Sequence, residues 1–330
     1  MNQPPDLDRF VVVPEVWPAT ARPVVTVPDE RWLDLWPAGS APAELVLWSM
    51  SEPYPSGLEP PSVVVLPYMG KASVMHRLEA LPSVQVVQLL SAGYEAVLPL
   101  VPPGVTLANA AGVHDTSTAE LAVALTVSVL RGIGEFARAQ TEGRWLGGTR
   151  PALADRRVLL IGVGNVGEAI ADRLAPFEVS ITRVGSRARD DERGHVHGVH
   201  ELAALLPEHE VVILACPLTE ATRGLVDAAF LASMPDGGLL VNVARGPVVV
   251  TDALVEALAD GRLYAALDVT DPEPLPADHP LWRSPNTLIS PHVGGDTTAF
   301  PPRARALLRD QVERFAAGRP LVNIVAGPVR

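Results

Sequence analysis

The chain has 330 residues, of which 48% are hydrophobic and 19% charged, with a formal net charge of −12. That composition excludes intrinsic disorder, and it argues against nucleic acid as a partner because phosphate binding needs a basic face. Cys216 is the only cysteine, so no internal disulfide can form and a reducing compartment fits. No apolar run approaches the ~18 residues of a membrane span, and Met1–Arg9 lacks the apolar core of a signal peptide; a soluble, cytoplasmic protein without a membrane partner is expected.

Residues 9–110 read as a small α/β unit. Short apolar runs at Arg9–Val13, Glu44–Trp48, Ser62–Pro67, Val84–Leu90 and Val105–Ala108 are bounded by Pro, Gly or Ser and predict strands. Helical spacing over Ala72–Leu81 between two of them implies a parallel sheet. The loops Tyr68-Met69-Gly70-Lys71 and Ser91-Ala92-Gly93-Tyr94 follow strand ends, where open α/β sheets bind ligands. Lys71 is the only lysine; it offers one charge for an acidic substrate, beside the backbone N–H groups of Met69, Gly70, Ala92 and Gly93. From Ser117 to Thr141 the pattern predicts a long helix, apolar on more than one face and therefore covered by another layer or another subunit.

Val158–Ile161 then runs directly into Gly162-Val163-Gly164-Asn165-Val166-Gly167 and a helical pattern. A buried strand, G-x-G-x-x-G and a helix form the dinucleotide fingerprint. Gly162 permits the tight turn, Gly164 lets a pyrophosphate approach the backbone, and Gly167 allows close helix–strand packing. The N–H groups of Asn165 and Val166 face the phosphates at the positive end of the helix. Further strands are predicted at Glu178–Val184, Val211–Ala215, Leu239–Val243, Leu263–Val269 and Thr287–Ser290. Helices are predicted at His200–Leu206, Thr222–Met234, Ala253–Ala259 and Arg303–Ala317, and a tail at Leu321–Val325. Six strands with intervening helices make a doubly wound sheet. His195, His197 and His200 fall in a charged loop after the second strand and read as surface histidines; no metal is expected.

Three strand ends of this second unit carry chemistry: Ala244-Arg245-Gly246, the loop from Asp268 to Pro274, and Pro291-His292. An arginine grips a carboxylate with paired hydrogen bonds. A histidine exchanges a proton near neutrality, and a glutamate beside it holds its ring. The trio suits a proton-coupled hydride transfer on a small acid.

These motifs, together with Cys216-Pro217-Leu218-Thr219, Thr222-Arg223-Gly224, Val241–Gly246, His279–Trp282 and Ser290–Gly295, resemble the D-isomer-specific 2-hydroxyacid dehydrogenase family. Asn109–Gly112, Ala119-Glu120 and Phe315–Val325 extend the resemblance, which runs from about Ser91 to the end. It implies a Rossmann NAD(P)-binding domain (109–296) inserted into a smaller flavodoxin-like α/β substrate domain (1–108 with 297–330), closing over its substrate. It also implies Arg245 as the carboxylate anchor, His292 as general acid/base, Glu273 as its partner, and Asp268 facing the nicotinamide carboxamide. Thr118, Cys216, Pro217, Thr222, Val243, Ala244 and Gly294 are the further cofactor positions in the matching motifs. Family members dimerise through the region of the long helix, so a homodimer is expected.

The family often places an acid at the end of the second strand for the ribose 2′-hydroxyl. Gly185 stands there, followed by Ser186, Arg187, Ala188 and Arg189, so NADP is expected over NAD. The reaction expected is reduction of a small 2-oxo acid to the D-2-hydroxy acid. The rival readings are a nucleotide-sensing, corepressor-like protein of the same fold and a phosphite-oxidising enzyme. The latter carries a lysine in the loop matching Ser91-Ala92-Gly93, which this chain lacks.

Overall fold

A computed structural model describes residues 22–327. In chain order these form β1 (Val24–Val27), β2 (Glu44–Leu47), β3 (Val63–Val65), β4 (Val86–Gln88) and β5 (Thr106–Ala108), then α1 (Asp115–Leu130) and α2 (Ile133–Thr141). Next come β6 (Arg157–Ile161), α3 (Asn165–Leu174), β7 (Ser180–Gly185), β8 (Arg189–Asp191), β9 (Gly194–Gly198) and α4 (Leu202–Leu205). β10 (Val211–Leu214), α5 (Ala228–Ser233), β11 (Leu239–Asn242), α6 (Thr251–Ala259), β12 (Tyr264–Leu267), β13 (Thr287–Ile289), α7 (Phe300–Ala316) and β14 (Ile324–Ala326) complete the order.

The chain divides into two compact units, one running to His114 and resuming at Thr298, the other Asp115–Thr297. The crossings therefore fall at 114/115 and 297/298 rather than at 108/109 and 296/297. Residues 109–114 stay with the first unit because their polar groups are spent there. Asn109 N–H donates to the Asn323 carbonyl at 2.9 Å. His114 Nε2 bonds the Leu90 carbonyl at 2.7 Å, and its ring stacks with Tyr68 and Phe300.

The first unit holds a sheet of order β14-β5-β4-β3-β1-β2, with β1 to β5 parallel and β14 antiparallel on β5. The order 2-1-3-4-5 is the flavodoxin-like one. β1, β3 and β4 are valine-rich and buried on both faces, as a covered parallel sheet requires. Phe300, Ala304, Leu308, Val312 and Phe315 recur at helical spacing on α7 and pack on one face. Trp48, Met75, Leu78 and Leu107 fill the other. The strand expected at 9–13 lies outside the described residues, whereas β1 lies between Pro23 and Pro28, where no strand is predicted. Residues 72–80 are helical as expected but wound as a 3₁₀ helix.

The second unit holds eight strands in the order β13-β12-β11-β10-β6-β7-β9-β8, parallel except for β8. From β9 to β12 this is the 3-2-1-4-5-6 Rossmann order. The sheet is sandwiched: Val158, Leu160, Ile213 and Val241 face α1 and α3, while Leu159, Ile161, Leu214 and Leu240 face α5 and α6. Three details differ from the sequence reading. The helix over 117–141 is two helices, interrupted at Arg131-Gly132. The helix over 222–234 is confined to α5, capped by Asp227, whose side chain accepts from Phe230 N–H. The charged loop after β7 is the β8–β9 hairpin. No helix of the described residues is long and apolar enough to cross a membrane.

Candidate active site

All parallel strands of the second unit point one way, so the segments after β6, β10, β11, β12 and β13 share one edge of the sheet. After β6 the chain turns at Gly162 with φ +115°. A Cβ there would lie 2.5 Å from the Ala215 carbonyl, and one on Gly167 would collide with the Gly162 carbonyl oxygen. Both glycines are thus demanded by the packing of the chain itself. Gly164 is different: a Cβ on it would meet nothing within 4 Å. The space over it opens onto the N-terminus of α3, which no side chain caps. Bare N–H groups at Asn165 and Val166 beside a side-chain-free backbone fit the pyrophosphate of a dinucleotide.

β7 ends at Gly185. A Cβ there would approach Arg189 Nη1 to 3.0 Å, so a guanidinium covers the position where the ribose-binding acid would stand. Four acids of this region are engaged with other partners. Asp191 pairs with the buried Arg183 at 2.6 Å, and Arg183 also reaches Glu168 at 3.2 Å. Asp172 pairs with Arg193 at 2.6 Å and Asp190 with His195 at 2.8 Å. The hydrogen bond from Arg183 holds the Asp191 carboxyl below the usual aspartate range. Among the described residues Arg187 and Arg189 form no ion pair, and both are exposed with Ser186.

Asp268 follows β12 and is 3% exposed. One carboxylate oxygen accepts from Ser290 Oγ at 2.7 Å and Val293 N–H at 2.9 Å, the other from Gly294 N–H at 2.9 Å. Its backbone carbonyl accepts from His292 N–H at 2.8 Å. The loop after β13 is therefore held from one buried carboxylate, and His292 projects from it with φ +52°. Its Nδ1 hydrogen-bonds Glu273 Oε1. Burial pushes the Glu273 carboxyl up, but the His292 hydrogen bond and charge, a backbone hydrogen bond at Thr270 and the charge of Arg245 outweigh it and hold the group below the usual glutamate range. Arg245 arrives by close packing: a Cβ on Gly246 would collide with the Thr270 carbonyl, so residues 244–246 lie directly on the loop after β12. Asn242 closes that turn, accepting from Ala244 N–H at 3.0 Å and donating to the Arg245 carbonyl at 3.1 Å. The result is an imidazole oriented by a carboxylate that also feels the charge of Arg245, on the sheet edge that carries the dinucleotide loop.

Residues 123–294 match the model of the D-isomer specific 2-hydroxyacid dehydrogenase, NAD binding domain. The chain belongs to the D-isomer-specific 2-hydroxyacid dehydrogenase family. It is 37% identical over 206 residues to a human glyoxylate reductase/hydroxypyruvate reductase, covering 59% of this chain and 62% of that protein. It is 33% identical over 231 residues to the glyoxylate reductase of Thermofilum pendens, covering 67% and 68%. A solved structure of a D-isomer specific 2-hydroxyacid dehydrogenase from Xanthobacter autotrophicus Py2, in complex with NADPH and MES, superposes with a TM-score of 0.74 at 28% identity, covering 92% of this chain and 98% of that one. The chain is accordingly an NAD(P)-binding oxidoreductase.

In this dehydrogenase the remaining positions divide by what their groups already do. Val243 and Ala244 are buried at the end of β11. Thr118 lies against Gly294. Thr222 Oγ1 donates to the Pro217 carbonyl at 2.6 Å and accepts from Thr219 N–H at 2.8 Å, so its hydroxyl shapes the loop after Cys216. Burial pushes the Cys216 thiol up to about 11, which leaves it a packing residue rather than a nucleophile. In the first unit, Met69 is exposed at φ +54°, Gly70 N–H donates to the Pro67 carbonyl at 3.1 Å, and Lys71 is exposed ahead of the 3₁₀ helix. Ala92 and Gly93 are half-buried, their carbonyls held by Asn109 Nδ2 at 2.7 Å and Ser91 Oγ at 2.8 Å. Tyr68 and Phe300 are stacked together inside the first unit, whereas Trp145 is fully exposed. Sequence reasoning passed over Arg183. Its only signal is a charged residue between Ile181 and Val184 within a strand, where burial demands a partner.

Proposed function

We propose that this dehydrogenase reduces a small 2-oxo acid to the D-2-hydroxy acid at Arg245, Glu273 and His292, with NADPH as the hydride donor. The carrying observation is the His292–Glu273 hydrogen bond set beside Arg245. Arg245 binds the substrate carboxylate and aligns the carbonyl. Glu273 accepts from Nδ1–H, which fixes the ring and stabilises the imidazolium, so Nε2 delivers the proton to the carbonyl oxygen. The cofactor supplies the hydride to the carbonyl carbon, and one hydride plus one proton complete the alcohol. In the oxidative direction the neutral Nε2 takes the proton back. The names of the human and Thermofilum relatives favour glyoxylate and hydroxypyruvate as substrates.

NADPH is preferred because Arg189 covers the place of the absent acid at Gly185, and the neighbouring Asp191 and Asp172 are paired with Arg183 and Arg193. The Xanthobacter neighbour's NADPH agrees with that choice. Lys71 and the N–H groups of Met69, Ala92 and Gly93 remain the proposed substrate contacts of the first unit, whereas Gly70 N–H is already spent on the Pro67 carbonyl. The enzyme acts as a homodimer in the cytoplasm, where its single thiol stays reduced.

The test is turnover of glyoxylate, hydroxypyruvate, pyruvate and phenylpyruvate with each cofactor. NADPH gives the higher kcat/KM, and Arg187→Ala with Arg189→Ala raises the KM for NADPH about tenfold or more while leaving that for NADH nearly unchanged. A preference for NADH in the wild type rejects the cofactor assignment; negligible turnover on every acid, with tight NADPH binding, rejects the enzyme in favour of a sensor. Lys71→Ala with an unchanged substrate KM removes that residue from the site, and sedimentation at micromolar protein decides the dimer.

A further inference from the structure

We propose that the β8–β9 hairpin carries a transition-metal site formed by His195, His197 and Glu201, with Asp190 orienting His195 from behind. Strand alternation puts His195 and His197 on the same face of β9. Val196 between them is fully buried, which fixes the histidine face outward. The chain turns after Gly198 into Val199–Glu201 and brings Glu201 back to that face. One carboxylate oxygen of Glu201 accepts from Gly198 N–H at 2.7 Å, the other from His197 Nδ1–H at 2.8 Å. The His195 ring stands perpendicular to that of His197, centroids 4.6 Å apart. One potential ligand atom from each of the three residues lies within 4.8 Å of the others.

An ion pair accounts for His197 with Glu201. It does not account for a second imidazole brought to the same spot and held by a carboxylate of its own. His195 Nδ1 bonds Asp190 Oδ1 at 2.8 Å, across the β8–β9 register. A carboxylate on one imidazole nitrogen is the arrangement that orients the other toward a metal and raises its basicity. Two imidazoles and a carboxylate select Zn²⁺, Co²⁺, Ni²⁺ or Cu²⁺ over Mg²⁺ or Ca²⁺, which prefer all-oxygen cages. Ligands ~2 Å from a tetrahedral ion sit roughly 3.3 Å apart, so these partly exposed side chains need only close slightly, leaving the fourth position to water. A bound ion would tie β9 to the turn that follows it and stiffen the hairpin bearing Arg189. None of the four residues belongs to the proposed catalytic set.

The experiment titrates the full-length protein with Co²⁺ and with Zn²⁺, reading the visible Co²⁺ absorption, equilibrium dialysis and the Tm. One equivalent binds at micromolar metal and raises the Tm. His195→Asn and His197→Asn each weaken it at least tenfold, and Asp190→Asn by about tenfold as an outer-shell loss. His292→Asn, which removes the other histidine–glutamate pair, leaves the equivalent in place. Glu201→Gln, nearly isosteric, gives a second route should a histidine variant fold poorly. The proposal is overturned if no saturable equivalent binds, if it survives in the His195→Asn/His197→Asn double variant, or if it is lost only with His292.

Discussion

His292 shows how one side chain is aimed by groups that do no chemistry themselves. Its positive φ is uncommon for a non-glycine residue, and it persists because the Asp268 carboxylate and carbonyl hold the loop on both sides of it. Truncating the proposed acid while keeping that loop, as in His292→Asn, lowers kcat by roughly 10²–10⁴-fold with the Kd for NADPH nearly unchanged, measured by steady-state kinetics and fluorescence titration. Glu273 adds a stability effect with a definite sign. Its carboxyl is held below the ordinary 4.5, so its contribution is complete above that value and fades as pH falls through the lowered one. The Tm gap between the wild type and Glu273→Gln is therefore widest near neutrality and closes in acid; a gap that instead grows below pH 4.5 reverses the assignment. The side chain is 38% exposed, and solvent screening keeps the gap small.

At the scale of the element, the turn between β6 and α3 separates glycines needed for folding from the glycine proposed to serve binding. Gly162→Ala forces a Cβ into the Ala215–Cys216 backbone and costs more than about 4 kcal/mol, read by urea unfolding. Gly164 has extended backbone, φ −86° and ψ −172°, which alanine adopts without strain. Gly164→Ala therefore keeps or slightly raises stability, by up to about 1 kcal/mol, while the KM for NADPH rises at least tenfold because the methyl fills the phosphate approach. Equal loss of stability in the two variants would refute this division. The β8–β9 hairpin is the other element whose character differs from its first reading. Arg189-Asp190-Asp191 and Gly194–Gly198 look like a polar loop because an edge hairpin has one side in water and needs no apolar run. Arg183, buried beneath it, draws in Asp191 and Glu168 and so anchors the strand pair.

At the scale of the molecule, the first unit is completed by the far end of the chain. α7 is tied to β4 and to the segment leading into β14 through a buried amide: Gln311 Nε2 donates to Gln88 Oε1 at 2.8 Å and the Val322 carbonyl at 3.0 Å, and Oε1 accepts from Val322 N–H at 2.8 Å. Gln311→Leu leaves these groups without partners and lowers stability by roughly 2–4 kcal/mol. NADPH affinity stays near wild type, because the dinucleotide loop lies in the other unit. Denaturant unfolding and a fluorescence titration on the same variant check both halves of this expectation.

The signals legible in the residue order are local. The strand–glycine–helix run at Val158–Ala171 and the strand-end motifs at Arg245, Glu273 and His292 carry the proposed chemistry in short spacings, and α/β alternation carries the doubly wound class. What the order alone leaves open depends on contacts distant along the chain. β1 is buried among neighbours that no local pattern reveals, between two prolines that read as breaks. Arg189 over Gly185, Asp268 as the anchor of the His292 loop, and His195 beside His197 and Glu201 all arise from strand register and loop packing. Only the tertiary structure decides them, because hydrogen bonds and burial select partners by proximity in space, whereas sequence patterns report periodicity along one segment.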